Sequence, residues 1–408
     1  MSIERSGCHD SVTADALSLI GRREPLFVDD IKEHEQTLNA MVRRSRFLVV
    51  GAAGTIGQAV CREIFRRDPL ALHAVDISEN NLVELVRSIR SSSGYISGDF
   101  QTYSLDCGSE LFATFLAAQD GYDVVLNLSA LKHVRSEQNP YTLMRLIQTN
   151  VTNASRLAGL ARDAGVSRFF CVSTDKAAEP ANMMGASKRI MELFLSRESL
   201  TLPVVMARFA NVAFSDGSLL YGFNQRFLQR QPLSAPNDVK RYFMTSQEAG
   251  ELCLLASLLG ASSEILFPKY SECWKSIRFS DIAQRYLLAR GYEPHLCLSE
   301  EEARSEARSL IAKGRWPVYF FSTDTTGEKT EEQFYTDDEE VDLTRFLNVG
   351  VIKQKMTFDP RALDQFSSGL NRLLERRSWS KADLVALFEA TLPNFNHLSK
   401  DRYLDERM

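Results

Sequence analysis

From Arg46 onward the chain alternates short runs rich in β-branched and aromatic residues with longer amphipathic ones. That alternation constrains the fold more than any other feature. Strands are expected near 47–50, 72–75, 102–105, 124–128, 169–172 and 204–208, separated by helices near 56–67, 81–90, 110–118, 143–164 and 187–199. A strand that rejoins its sheet after a helix lies parallel to its predecessor, so the pattern predicts an α/β fold built on a doubly wound parallel sheet. Beyond residue 209 the alternation gives way to turn-rich stretches (215–218, 231–237) and further helices (247–259, 280–290). Ser280 suits the N-cap of the last of these and Gly291 its C-cap. Residues 328–342 hold eight acids and one lysine and read as a solvated surface stretch. The expected division is a helical N-terminal extension (1–45, with a helix near 29–44), the doubly wound domain (46–209), a smaller region interleaved with late elements of that domain (210–345), and a helical tail (346–408).

Within this pattern, Gly51-Ala52-Ala53-Gly54-Thr55-Ile56-Gly57 follows the first strand and opens the first helix. Glycines at that junction permit a tight turn and let a pyrophosphate approach backbone N–H groups at a helix N-terminus. Asp76 lies nineteen residues beyond Gly57, at the end of the second strand, where its carboxylate can accept both hydroxyls of an adenosine ribose. Strand, glycines, helix, strand and acid in this order point to a dinucleotide, with Gly51, Gly54, Thr55, Ile56 and Gly57 around its phosphates. Asp76 repels a 2′-phosphate and no base follows it in Ile77-Ser78-Glu79-Asn80, which favours NAD over NADP unless a cation arrives from elsewhere. Asp106, ending the third strand, suits either an adenine contact or a helix N-terminal cap.

Composition excludes other classes. The formal charge of −5 leaves no footprint for a nucleic-acid binder. Seven cysteines and six histidines are scattered without a Cys-x-x-Cys pair, so neither a disulfide framework nor a metal site is expected. No run approaches the ~18 apolar residues of a membrane span, and no apolar leader follows Glu4 and Arg5, so a soluble cytoplasmic protein is expected.

Two further strand ends carry polar clusters, in the place where open α/β sheets bind ligands. The fourth closes on Asn127-Leu128-Ser129-Ala130-Leu131-Lys132-His133-Val134 and the fifth on Ser173-Thr174-Asp175-Lys176. Lys188, on the helix that follows, can reach a nicotinamide ribose, and Met184 one turn earlier shares its face.

Together with Met184-Gly185-Ala186-Ser187-Lys188, Arg208-Phe209-Ala210-Asn211-Val212 and Lys240-Arg241-Tyr242-Phe243-Met244, these segments resemble the extended short-chain dehydrogenase/reductase superfamily. Within it they are similar to the polysaccharide-biosynthesis branch, the UDP-N-acetylglucosamine 4,6-dehydratases. Gly314-Arg315-Trp316-Pro317 and the segment from Ser322 to Lys329 resemble the long soluble members of that branch. The likeness spans roughly residues 46–350. It implies a Rossmann fold with a smaller C-terminal substrate-binding region, bound NAD and a UDP-sugar substrate, in the synthesis of surface-glycan or nonulosonic-acid precursors. The reaction implied is oxidation at C4, loss of water across C5 and C6, and return of hydride to C6. A homo-oligomer is also implied, paired through the helices near 143–164 and 187–199, although their apolar positions equally fit a monomer core.

Carried over by this resemblance, Lys176 is the base at C5, Asp175 the acid at the 6-oxygen, and Thr174 a hydrogen-bond donor to the 4-oxygen. Ala130 falls among the cofactor contacts and Lys188 serves both cofactor and chemistry. Lys132, His133 and Met184 line the sugar, although a histidine in such a run is often structural. Asn211 and Arg241 hold the diphosphate, to which the planar guanidinium fork donates two parallel bonds. The superfamily's usual Tyr four residues before the Lys is here Met184, which neither donates nor accepts a proton. Thr174, Asp175 or a water relay is left to deprotonate the 4-hydroxyl. Met184 also resembles the members that retain configuration at C5. A nucleotide-sugar epimerase shares the fold and cofactor without needing the Asp–Lys pair, and a non-catalytic NAD-sensing protein is the reading in which Met184 marks lost chemistry.

Overall fold

The computed structural model describes residues 16–323, 329, 332–353, 358–395 and 397. Residues 324–328 of the Ser322–Lys329 motif, the first fifteen residues and the end of the tail lie outside the described residues. Nine strands form the central sheet: β1 (Arg46–Val50), β2 (Ala71–Asp76), β3 (Asp99–Ser104), β4 (Val124–Asn127), β5 (Arg168–Thr174), β6 (Val204–Phe209), β7 (Glu264–Pro268), β8 (Glu340–Asp342) and β9 (Val349–Lys353). Their order is β8-β9-β7-β6-β5-β4-β1-β2-β3. All neighbours from β3 across to β7 pair in parallel, whereas β9 is antiparallel to β7 and to β8.

The direction of chain progression reverses between β1 and β4, where Val50 is in register with both Val75 and Asn127. A crevice opens at such a switch point beyond the strand ends. Helices cover both faces, which is why β1, β4 and β6 are almost wholly buried and, apart from Arg46, Asn127 and Arg208, apolar without alternation.

The helices of this layer are α1 (Val28–Arg43), α2 (Thr55–Phe65), α3 (Glu79–Ser93), α4 (Glu110–Ala117), α5 (Pro140–Ile147), α6 (Asn153–Asp163), α7 (Met183–Glu198) and, later in the chain, a buried helix Ser246–Leu259. The last crosses α2 so closely that a Cβ on Gly250 would stand 2.9 Å from the Ala59 backbone. Its start is held by a Thr245–Glu248 capping box, and Glu248 also receives both guanidinium nitrogens of Arg22 at 2.6 Å. Asp30 of α1 is fully buried and accepts the backbone N–H groups of Leu347 and Asn348, which ties the N-terminal segment to the returning β9.

The single helix expected near 143–164 is interrupted by a π-helical turn, Gln148–Thr152. The extra residue re-aims Asn150, whose buried amide accepts from Leu131 N–H and donates to Leu131 C=O, both at 2.9 Å, and reaches the Ser187 hydroxyl at 3.0 Å. The hydrophobic period runs unbroken through this turn, so spacing alone does not reveal it.

Between β6 and β7, and again between β7 and β8, the chain builds a second core. Parallel strands Leu233–Pro236, Arg315–Phe321 and Glu293–Cys297 carry helices Leu219–Leu228, Phe279–Leu288 and Glu300–Ala312 around Phe223, Tyr286 and Trp316.

The tail forms a helical hairpin, Pro360–Arg376 and Lys381–Thr391. Phe366, Leu370, Leu384 and Phe388 pack against Leu143 and Ile147 of α5 and Ile190 and Phe194 of α7. The apolar positions of α5 and α7, part of the face expected to meet a second copy, are therefore covered within the chain. Among the described residues no helix is long and apolar enough to cross a membrane.

Candidate active site

The glycine turn is built as its spacing predicts. Gly51 has φ +79°, and a Cβ there would lie 2.6 Å from Ser129 N, while a Cβ on Gly57 would lie 2.1 Å from Gly51 O. Larger residues at either position would break the contact between turn and sheet. Gly54 differs, since its Cβ would meet nothing of the protein closer than 3.7 Å. It caps α2 without a side-chain bond, which leaves backbone donors of the first turn facing the crevice. A pyrophosphate fits this cradle, with half-buried Ile56 in the same turn. The Thr55 hydroxyl accepts from Asp216 N–H at 3.0 Å, so it is tied to the 215–217 turn.

Asp76 accepts from Ala53 N–H at 3.0 Å and Ser78 N–H at 2.9 Å and still presents oxygen lone pairs at the end of β2. Asp106 is not the cap of α4: that place is taken by Ser109, whose hydroxyl accepts from Phe112 N–H at 3.2 Å, while the Asp106 carboxylate accepts from Gly108 N–H at 2.8 Å in the turn just ahead.

At the end of β4, Asn127 accepts from both the backbone and hydroxyl of Ser129, which sets the bend leading to half-buried Ala130. Lys132 donates to the Ser215 hydroxyl at 3.2 Å, and burial lowers its pKa against the pull of Asp216. His133 faces the same turn, its Nε2 lying 2.9 Å from where a Gly217 Cβ would be. The 215–217 turn thus bridges the start of α2 and the segment that follows β4.

The densest chemistry lies beyond β5. Asp175 Oδ1 accepts from the Thr174 hydroxyl (2.8 Å), Lys176 N–H (2.8 Å) and Lys176 Nζ (3.0 Å). Lys176 Nζ also donates to Asn211 Oδ1 at 3.2 Å and lies 3.9 Å from Glu332. Burial alone would lower the Lys176 pKa, but the Asp175 and Glu332 carboxylates raise it above the ordinary lysine value. Gly185 makes this approach possible, because a Cβ there would meet Lys176 O at 2.6 Å. Asn211, expected at a diphosphate, is in this free structure a partner of Lys176.

Lys188 is buried and donates to Val172 O at 3.0 Å, and burial lowers its pKa. Met184 is buried one turn before it. Arg241, only 3% exposed, lies 3.9 Å from Glu332.

The acidic stretch is not a solvated face throughout, and this corrects the sequence reading. Glu332 is 8% exposed and reaches the Lys176–Arg241 cluster. Glu339 receives Arg208 through two bonds at 2.7 Å. Arg208 in turn grips Glu192, which accepts from the Ser173 hydroxyl at 2.6 Å. Burial would raise Glu192, but Arg208 and Arg189 hold it down at about 2. This network braces the end of β5 from behind. Phe334 and Tyr335, set inside the acidic run, were the signal that part of it is buried.

The sequence profile of the polysaccharide biosynthesis protein family matches residues 47–354. The chain belongs to that family. A curated member, the capsular polysaccharide biosynthesis protein CapD of Staphylococcus aureus, is 29% identical over 249 residues, covering 60% of this chain and 40% of CapD. The chain thus matches less than half the length of that family member. Among solved structures, Pen from Bacillus thuringiensis superposes with a TM-score of 0.62 at 18% identity, covering 83% of this chain and 99% of Pen. The dTDP-glucose 4,6-dehydratase DesIV of Streptomyces venezuelae superposes at 0.54 and 18% identity, over 71% of this chain and 87% of its own. These likenesses establish the fold for the family member described here. No cluster of potential metal ligands occurs among the described residues.

Proposed function

We propose that this member of the polysaccharide biosynthesis family is an NAD-dependent 4,6-dehydratase acting on UDP-N-acetylglucosamine, with retention at C5. The observation that carries the reading is the Asp175–Lys176 pair, 3.0 Å apart at the end of β5 beside Thr174, with Asp175 buried and Lys176 half-buried. An epimerase has no use for an acid and a base over C5 and C6, whereas water elimination needs both. NAD would sit on the Gly51–Gly57 cradle with Asp76 at its adenosine ribose, and when bound it supplies hydride transfer to and from the sugar. DesIV was solved with NAD bound.

The pair's charge state bears on the mechanism. In the free protein Lys176 is held as ammonium beside the Asp175 carboxylate. Elimination needs a neutral amine at C5 and a protonated carboxyl at the 6-oxygen. Both arrangements hold the same number of protons, so one transfer from Nζ to Oδ1 along the existing hydrogen bond interconverts them. A bound sugar that excludes water removes the solvation favouring the charged pair and promotes that transfer. Asn211 accepts from Lys176 Nζ and keeps it aimed while the proton moves. Thr174 would donate to the sugar 4-oxygen, and Lys132 and His133 would line the sugar from the end of β4. Arg241 would hold the diphosphate.

Incubating the protein with UDP-N-acetylglucosamine and following products by proton NMR tests the reading. A new 6-methyl signal supports it. Altered ring-proton couplings without a methyl signal would make the protein an epimerase, and no turnover would favour a cofactor sensor.

A further inference from the structure

Glu332 enters the site on a segment secured downstream. Phe334 stacks near Phe267 and Trp274 with centroids 5.7 and 5.8 Å apart, and Glu339 is held by Arg208. The Glu332 carboxylate lies 3.9 Å from Lys176 Nζ and 3.9 Å from Arg241 Nη2. Those distances exceed a hydrogen bond, so the carboxylate balances buried Arg241 and half-buried Lys176 without a directional bond to either. A phosphate oxygen can come closer to a guanidinium fork and bind it in two places. Diphosphate and carboxylate compete for the same cation, and two anions crowded there repel each other.

We propose that Glu332 is an internal stand-in for the substrate's anion: it balances Arg241 in the free protein and takes up a proton from solvent when a nucleoside diphosphate moves onto Arg241. The step forms one O–H bond on the carboxylate and involves no oxidation or reduction. Among the described residues, the charged groups facing Glu332 are Lys176 and Asp175 from the end of β5, Arg241 from strand Lys240–Arg241, and Lys329. Burial and Asp175 already make this carboxyl easier to protonate than an ordinary glutamate, against the pull of Lys176, Arg241 and Lys329. The inference rests on the reading above in taking Arg241 as the diphosphate contact.

The test is titration calorimetry of the intact protein with UDP at pH 8, in buffers of different ionisation enthalpy. Wild type should take up protons on binding, and its affinity should weaken as pH rises. Glu332→Gln, folded as judged by its thermal melt, should bind UDP about tenfold or more tighter at pH 8 with little proton uptake, because the competing charge is gone. If the variant does not fold, the proton uptake of wild type decides alone. UDP binding without proton uptake, or weaker binding by a folded Glu332→Gln, would overturn this inference and leave the nucleotide-sugar reading standing. No UDP binding by wild type would overturn both.

Discussion

Asp175→Asn separates the two halves of the proposed reaction, and the geometry says why it should do so cleanly. Among the described residues, the three hydrogen bonds to the Asp175 carboxylate fall on Oδ1: from the Thr174 hydroxyl, Lys176 N–H and Lys176 Nζ. An asparagine can place its carbonyl oxygen there and keep every donor satisfied, with the amide nitrogen where Oδ2 was. The turn into Lys176 should therefore keep its shape. What disappears is a group able to yield a proton at the sugar 6-oxygen. Losing a general acid typically costs ~10²–10⁴-fold, equivalent to about 3–5 kcal/mol in the barrier to water loss. Removing the carboxylate also takes away the acceptor to which Lys176 Nζ would pass its proton, and one of the two charges that raise the Lys176 pKa. The C5 base is therefore lost along with the acid, and the block falls on elimination from both sides. Mixing the variant with UDP-N-acetylglucosamine should produce a persistent reduced-nicotinamide absorbance with little 6-deoxy product. Turnover near the wild-type rate would refute the acid assignment. Failure to reduce the nicotinamide at all would place Asp175 earlier, at the 4-hydroxyl proton that Met184 cannot take.

Arg241→Ala should raise KM for the UDP-sugar by roughly 10–150-fold with kcat little changed, since a diphosphate contact worth about 1.5–3 kcal/mol is made in ground and transition states alike; an unchanged KM would remove Arg241 from the site. Glu251 lies buried beside Glu63 and Glu248, and burial followed by those charges raises its carboxyl to about 7. A folded-state pKa above the unfolded one stabilises the fold fully below pH ~4.5 and loses that contribution as pH rises through 7, up to about 3 kcal/mol. Glu251→Gln should therefore melt higher than wild type at pH 8 and show little advantage at pH 4.5, and a constant offset between the two would refute the assignment. Phe388→Ala should cost about 3–5 kcal/mol in a denaturant titration, because its side chain is fully buried between the tail hairpin and α7; a near-neutral result would mean that the hairpin is not docked on that face.

Much of this molecule was legible in the sequence because its information is local. The order of strands and helices, the Gly51–Gly57 turn and Asp76 each depend on residues within a few positions or on one strand–helix unit. The Thr174-Asp175-Lys176 cluster was legible for the same reason, since it closes a single strand. What escaped depends on partners distant in the chain. Glu332 and Glu339 are buried only because Lys176, Arg241 and Arg208 meet them from elsewhere, and a run of acids by composition looks solvated. The π turn at Gln148–Thr152 follows from the Asn150 contacts with Leu131 and Ser187, which no helical period reports. Apolar positions on α5 and α7 fitted a second copy or a monomer core equally well, and the residues that cover them here lie more than 150 positions later in the chain.

In the proposed reaction one active site moves hydrogen from C4 to C6 of the sugar, with water leaving between. UDP-N-acetylglucosamine carrying deuterium at C4 tests this most directly, with the product read by NMR and mass spectrometry. The expected outcome is a 4-keto product with one deuterium in a new 6-methyl group and no label left on the ring. Label returned to C4 in an otherwise rearranged sugar, with C6 still bearing its hydroxyl, would contradict it.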